Sequence, residues 1–187
     1  MSDKTWEKLH SIYQDQDWIN RPSIFAETAI TYFPDKGRIL DLGAGLGQDS
    51  LFFAKNGYDV ISTDLNTEKL SGNSELTTQA GKVDIKQVDL RQALPFEDSS
   101  FDVVYAHLSL HYFNASTTEK IFSEIHRVLR PKGVIAFFTN SISDPEYDTG
   151  TKEEQDYFKI DGLLKRYFSV SSALHFARAF KPLLADS

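Results

Sequence analysis

The nine residues Ile39-Leu40-Asp41-Leu42-Gly43-Ala44-Gly45-Leu46-Gly47 constrain this chain more than any others. An apolar run reaches an acid, and then three glycines fall at alternate positions, the pattern of a buried strand turning sharply into a helix. Glycine at such a turn supplies positive φ and, lacking Cβ, lets a ligand approach the main chain. Strand, glycine turn and helix N-terminus together make a nucleotide-binding corner. The spacing departs from the dinucleotide fingerprint G-x-G-x-x-G, because the third glycine comes one residue early and Gln48 stands where the fingerprint wants it. Asp41, just ahead of the first glycine, suits a ligand carrying an ammonium or sulfonium charge and fits poorly beside a pyrophosphate.

The segments that follow extend the corner into a sheet. A helix is predicted from Gly47 to Lys55, stopped by Asn56-Gly57. Tyr58 to Asp64 reads as a second strand ending on an acid, with Asp64 placed where a βαβ unit puts a ribose-binding carboxylate. Val83 to Asp89 alternates like a third strand and again ends on an acid, and Phe101 to His107 reads as a fourth. A parallel sheet brings these strand ends to one edge.

This series resembles the class I S-adenosylmethionine-dependent methyltransferases, over roughly Arg38 to Asn140. The matching pieces are Leu40 to Gly47, Asp64, Asp89-Leu90, Leu94 to Asp102, and Glu124-Ile125-His126-Arg127-Val128-Leu129-Arg130-Pro131-Lys132-Gly133-Val134. The resemblance implies an α/β Rossmann-like, doubly wound, mostly parallel sheet of order 3-2-1-4-5 with helices on both faces. It implies S-adenosyl-L-methionine as cofactor and a small-molecule methyl acceptor. Gly43, Ala44, Gly45 and Gly47 would approach the methionine half, with Asp41 beside them. Asp64 would take the ribose hydroxyls, Leu65 would lie against the adenine, Asp89 and Leu90 would sit at the adenine amine, and the strand end at His107 would offer backbone to the ammonium group.

Composition narrows the partners. The 187 residues suit one domain, divided into N-terminal helices (1–35), a cofactor-binding core (36–140) and a substrate-side insertion with a terminal helix (141–187). The 20 basic and 27 acidic residues give a net charge of −7, which repels a nucleic-acid polyanion. No apolar run is long enough to cross a membrane, and the first residues lack the apolar centre of a signal peptide. The absence of cysteine removes disulfides, thiolate metal sites and cysteine-nucleophile chemistry, and no metal is expected; the expected location is cytoplasmic.

The flanking regions are read from periodicity. Arg21-Pro22-Ser23 should start a helix that packs Ile24, Phe25, Thr28, Ala29 and Tyr32 on the sheet, after an earlier helix carrying Tyr13 and Trp18. Tyr13, Trp18 and Arg21 are within reach of the cofactor on this reading, and ordinary packing and surface charge are the simpler account of each. Asn66 to Gly81 should hold a short or irregular helix, and Ser116-Thr117-Thr118-Glu119 a capping box opening a helix with Ile121, Ile125, Val128 and Leu129 on one face. After the fifth strand, Val134 to Thr139, the polar connection and the Tyr157 to Ser169 segment resemble the substrate-side insertion of the tellurite-resistance methyltransferase group. The antiparallel hairpin that family members add there is absent or altered. An unpaired fifth strand would present an apolar edge, to be covered by the terminal helix or by a second subunit as a homodimer.

Catalysis asks for alignment of a nucleophile and, for a hydroxyl or ammonium acceptor, for proton removal. His111 is the candidate base, with Tyr112 and Arg166 as substrate contacts; a structural histidine and a surface arginine are the bland alternatives. Two other functions fit parts of the pattern: a nicotinamide-dependent oxidoreductase, favoured by Asp64 but opposed by Gln48 and Asp41, and a cofactor-binding protein without catalysis.

Overall fold

Period-two alternation along the buried strands decides which helices can pack where. The computed structural model describes residues 21–78 and 81–186. Tyr13, Trp18 and the first predicted helix lie outside the described residues. Strands β1 (Arg38–Leu42), β2 (Asp59–Asp64), β3 (Val83–Gln87), β4 (Phe101–His107) and β5 (Leu129–Phe138) form a parallel sheet of order β3-β2-β1-β4-β5. This is the order expected from the sequence. Leu40, Leu42, Val104 and Ala106 point to one face, Ile39, Val103 and Tyr105 to the other, and each set seeds its own core.

On the second face lie α1 (Ile24–Ala29) and α2 (Gln48–Lys55), through Ala26, Ala29, Phe33, Phe53 and Ala54. The first face is covered by α5 (Ala115–Val128) and α6 (Val170–Phe176), through Ile121, Phe122, Ile125, Val128 and Phe176. Two one-turn helices, α3 (Glu68–Gly72) and α4 (Ser74–Thr78), occupy the region expected to be irregular and bury Leu70 and Leu76 against Leu51.

Three local expectations are corrected. The α1 helix buries Ala26 and Ala29 and leaves Ile24 81% exposed, so its phase differs from the one read off the sequence. Ser23 sets that phase: it is the N-cap, with its hydroxyl accepting from the Ala26 N–H while its own N–H is tied to Asp49. The N-cap of α5 is Asn114, accepting from the Thr117 N–H at 2.9 Å, in place of the Ser116–Glu119 box. A capping box does occur at α6, between Ser169 and Ser172.

The fifth strand begins at Leu129, ahead of the expected Val134, and takes in Arg130 to Gly133. They bulge within it, since Phe101 pairs with Leu129 and Val103 with Val134, and Lys132 takes φ 71°. Beyond β5 the expected change at the C-terminus is seen as a second sheet. Strands β6 (Thr151–Glu154), β7 (Tyr157–Ile160) and β8 (Leu163–Arg166) form an antiparallel sheet of order β6-β7-β8. Among the described residues β5 is the sheet edge. The α6 helix packs on the face of the sheet, its Phe176 against Phe122 and Phe168.

Candidate functional site

A cavity of ≈ 1010 Å³ opens at the C-terminal edge of the parallel sheet. Ligands of open α/β sheets bind at this edge, where strand order reverses between β1 and β4. Its walls come from the turn after β1 (Gly43 to Leu46, Gln48), the end of β2 (Asp64 to Asn66), the end of β3 (Asp89 to Arg91) and the segment after β4 (His107 to Asn114). Tyr157, Leu163, Leu164 and Lys165 of the antiparallel sheet close the remaining side, with Asn140, Asp144 and Glu146. The cavity thus has a polar floor at the strand ends and an amphipathic roof from the second sheet.

The glycine turn is shaped by its neighbours. Gly43 takes φ 74°, and a Cβ there would lie 2.4 Å from Ser109 Cβ, whose hydroxyl donates to the Leu42 carbonyl. Gly45 takes φ 59°, and its N–H donates to Asp64 Oδ2 at 3.0 Å. Asp64 Oδ1 accepts from the Asn66 N–H at 3.1 Å, so both oxygens are oriented and each keeps acceptor capacity at the cavity wall.

Ala44, Leu65, Leu90, Asp89, His107, His111 and Tyr112 also line the cavity, which gathers most of the residues singled out from sequence. Asp89 is clamped by the Arg91 guanidinium, at 2.8 Å to each oxygen, and that hydrogen bonding holds its carboxyl below the usual range.

Three expected site residues are not on the wall. Asp41 is 2% exposed and turned toward α2, with its Oδ2 2.6 Å from Ser50 Oγ, which is 2.8 Å from Ser62 Oγ. Burial drives its carboxyl up to about 8, aided by the Asp49 and Asp64 charges and opposed by the Ser50 hydrogen bond. Buried and off the cavity wall, Asp41 ties the end of β1 to Ser50 on α2. Gly47, the α2 N-cap at φ 81°, makes room for Leu76 and Leu70, which a Cβ would meet at 2.7 and 2.9 Å. Arg166 does not line the cavity and is not a surface residue. It is 4% exposed, pairs with Glu154 at 2.7 Å and donates to the Phe113 and Gln155 carbonyls, fixing the second sheet to the segment after β4.

His111 lies at the cavity but is 2% exposed, and burial, with Lys165 and His107 nearby, pushes its pKa down to about 3. So weak a base suits hydrogen bonding to a bound molecule better than proton abstraction. Its Nδ1 and the Gln48 Oε1 are buried polar atoms without a partner among the described residues, and both residues line the cavity. Orphans of this kind cost free energy unless a ligand or water satisfies them.

Sequence reasoning passed over Asp49. Its carboxylate sits beneath His107, in the first turn of α2, and accepts from Ser23 and Tyr105. An acid in a first helical turn reads as a dipole partner, and no local pattern announces its long-range donors. Leu108, at φ 53° beside the cavity, was equally silent in the sequence.

A family model described as "Methyltransferase domain" matches residues 40–137, more than half of the chain, and the chain belongs to that family. It is 36% identical over 110 residues to the YqeM protein of Bacillus subtilis, covering 58% of this chain and 44% of that one. The chain spans less than half the length of the curated relatives it matches. Among solved structures, a SAM-dependent methyltransferase from Methanosarcina mazei superposes with TM-score 0.69 at 22% identity, covering 81% of this chain and 82% of that one. The Burkholderia thailandensis 1,6-didemethyltoxoflavin-N1-methyltransferase, solved with 1,6-didemethyltoxoflavin and S-adenosylhomocysteine, superposes with TM-score 0.70 at 19% identity, covering 94% and 72%. These likenesses show the fold.

Proposed function

We propose, from membership of the methyltransferase-domain family, that the chain binds S-adenosylmethionine and transfers its methyl group to a small molecule. The observation that carries this reading is Asp64. Its two oxygens are oriented by the Gly45 and Asn66 N–H groups at the mouth of the glycine turn, with capacity left for a ribose diol. The bare main chain of Gly43 and Gly45 offers close approach for the methionine half. Leu65 and Leu90 supply apolar surface for an adenine, and the orphaned Gln48 Oε1 can accept from an ammonium group. These residues fit the cofactor.

When bound, the cofactor would supply a sulfonium methyl carbon open to in-line attack by an acceptor's lone pair, with the C–S electron pair leaving on sulfur. The chain's own work is then to hold the acceptor and exclude water, an alignment effect worth roughly 7–11 kcal/mol. The second sheet and Tyr112 enclose the far half of the cavity at a scale suited to a small molecule. The net charge of −7 supports this over nucleic acid. Isothermal titration with S-adenosylhomocysteine and with NADH tests the reading: binding of the first alone is expected, and binding of NADH alone overturns it. Turnover across acceptor panels separates catalysis from binding.

A further inference from the structure

His107 ends β4 with its ring on the cavity wall, and its Nδ1 lies 3.6 Å from Asp49 Oδ2. Asp49 cannot turn away. Its carboxylate accepts from the Ser23 N–H at 2.7 Å, the Ser23 hydroxyl at 2.8 Å and the Tyr105 hydroxyl at 2.7 Å. The imidazole is held as firmly, stacked on Phe25 at 5.9 Å and flanked by Phe138 at 5.6 Å. At 3.6 Å this is an electrostatic contact and not a hydrogen bond, and a carboxylate on the Nδ1 side favours the hydrogen there, with the Nε2 lone pair on the edge away from Asp49.

We propose that Asp49 and His107 form a proton-accepting dyad for the methyl acceptor, with His107 Nε2 taking the proton and Asp49 positioning the ring. This rests on the methyltransferase reading above. The acceptor's O–H or N–H bond breaks, and its electron pair stays on the acceptor atom as the nucleophile. A new N–H bond forms at Nε2, and Asp49 offsets the charge of the resulting imidazolium. An imidazole is best matched to acceptors with an acidic O–H or N–H, of the phenol, enol or ring-nitrogen type. A soft or already ionised acceptor would need no such dyad.

Burial holds the His107 pKa below the usual imidazole value, and Asp49 offsets part of that lowering. Tyr105, from the same strand, shares Asp49 and is held un-ionised by burial and by that carboxylate. Asp41 lies near Asp49 and is neutral at pH 7, while His111, on the next turn, is a neutral neighbour with Lys165 beyond it. Phe25 from α1 and Phe138 from β5 bring no charge. Asp49 is therefore the only acidic side chain in direct contact with the His107 ring among the described residues.

The test is imidazole nitrogen NMR on the full chain, which carries five histidines, with His107 assigned through His107→Gln. In the parent the Nδ1–H tautomer is expected. Asp49→Asn should lower the His107 pKa by about one unit or more, and Tyr105→Phe, which frees Asp49 from one donor, should raise it. A pKa unmoved by both variants, or an Nε2–H tautomer in the parent, overturns the dyad. Should Asp49→Asn fail to fold, the Tyr105→Phe shift and the parent tautomer still decide. S-adenosylhomocysteine titration is read separately: if it does not bind the parent, the methyltransferase reading fails, whatever the imidazole spectra show.

Discussion

Ser50 Oγ lies 2.6 Å from the Asp41 carboxyl, in a space closed to water on the α2 side of the sheet. Ser50 Oγ, which also lies 2.8 Å from Ser62 Oγ, donates to that carboxyl and favours its ionised form, but burial outweighs the hydrogen bond and keeps the proton on. The raised carboxyl and the neutral His111 pull stability in opposite directions with pH. Asp41 is protonated up to about 8 when folded and only below about 4 when unfolded. Its stabilisation is therefore complete at low pH and lost as pH rises through that window. His111, held down at about 3, costs stability as pH falls below about 6.5, where the unfolded chain takes up a proton.

The two slopes oppose each other between about pH 4 and 6.5, and Asp41 acts alone above that. Urea unfolding should thus show stability falling by about 1–2 kcal/mol from pH 6.5 to 8. Asp41→Asn, neutral at every pH, should flatten that slope. An equally steep slope in the variant would sink the assignment.

Asp64→Ala should weaken S-adenosylhomocysteine binding by roughly 1.5–3 kcal/mol, the scale of hydrogen bonds to a charged group. Calorimetry measures this directly. An affinity within about twofold of the parent would remove Asp64 from the site.

Gly43→Ala places a methyl at positive φ and 2.4 Å from Ser109 Cβ. It should destabilise the fold by about 1–3 kcal/mol, from strain and overpacking together. Combining it with Ser109→Gly should recover part of that loss, because the clash disappears while the strained φ remains. Purely additive losses in the double variant would locate the cost elsewhere.

Arg166→Ala removes a buried cation from Glu154 and two carbonyls. The expected cost is about 2–4 kcal/mol, near the range for breaking a buried pair and reduced because Glu154 is partly exposed. Affinity for S-adenosylhomocysteine should stay within about threefold, since Arg166 does not line the cavity. A stable variant with weakened ligand binding would return Arg166 to the site.

The sequence by itself determined the parallel sheet and its cofactor corner, because both rest on local signals. Alternating apolar residues mark β1 to β4, glycines mark the turn where main chain must be bare, and Asp64 falls at a distance that one βαβ unit fixes. What only the tertiary structure decided is which polar groups meet across that sheet. Asp41 and Asp64 look alike in sequence, each an acid at a strand end, yet one is buried under α2 and neutral while the other faces the cavity. Arg166 reads as a surface residue until β8 folds it onto Phe113 and Glu154. Asp49 becomes a partner for His107 only once α2 packs on β4, 58 residues away along the chain. Burial, charge state and long-range donors are properties of packed neighbours, and no local run of residues carries them.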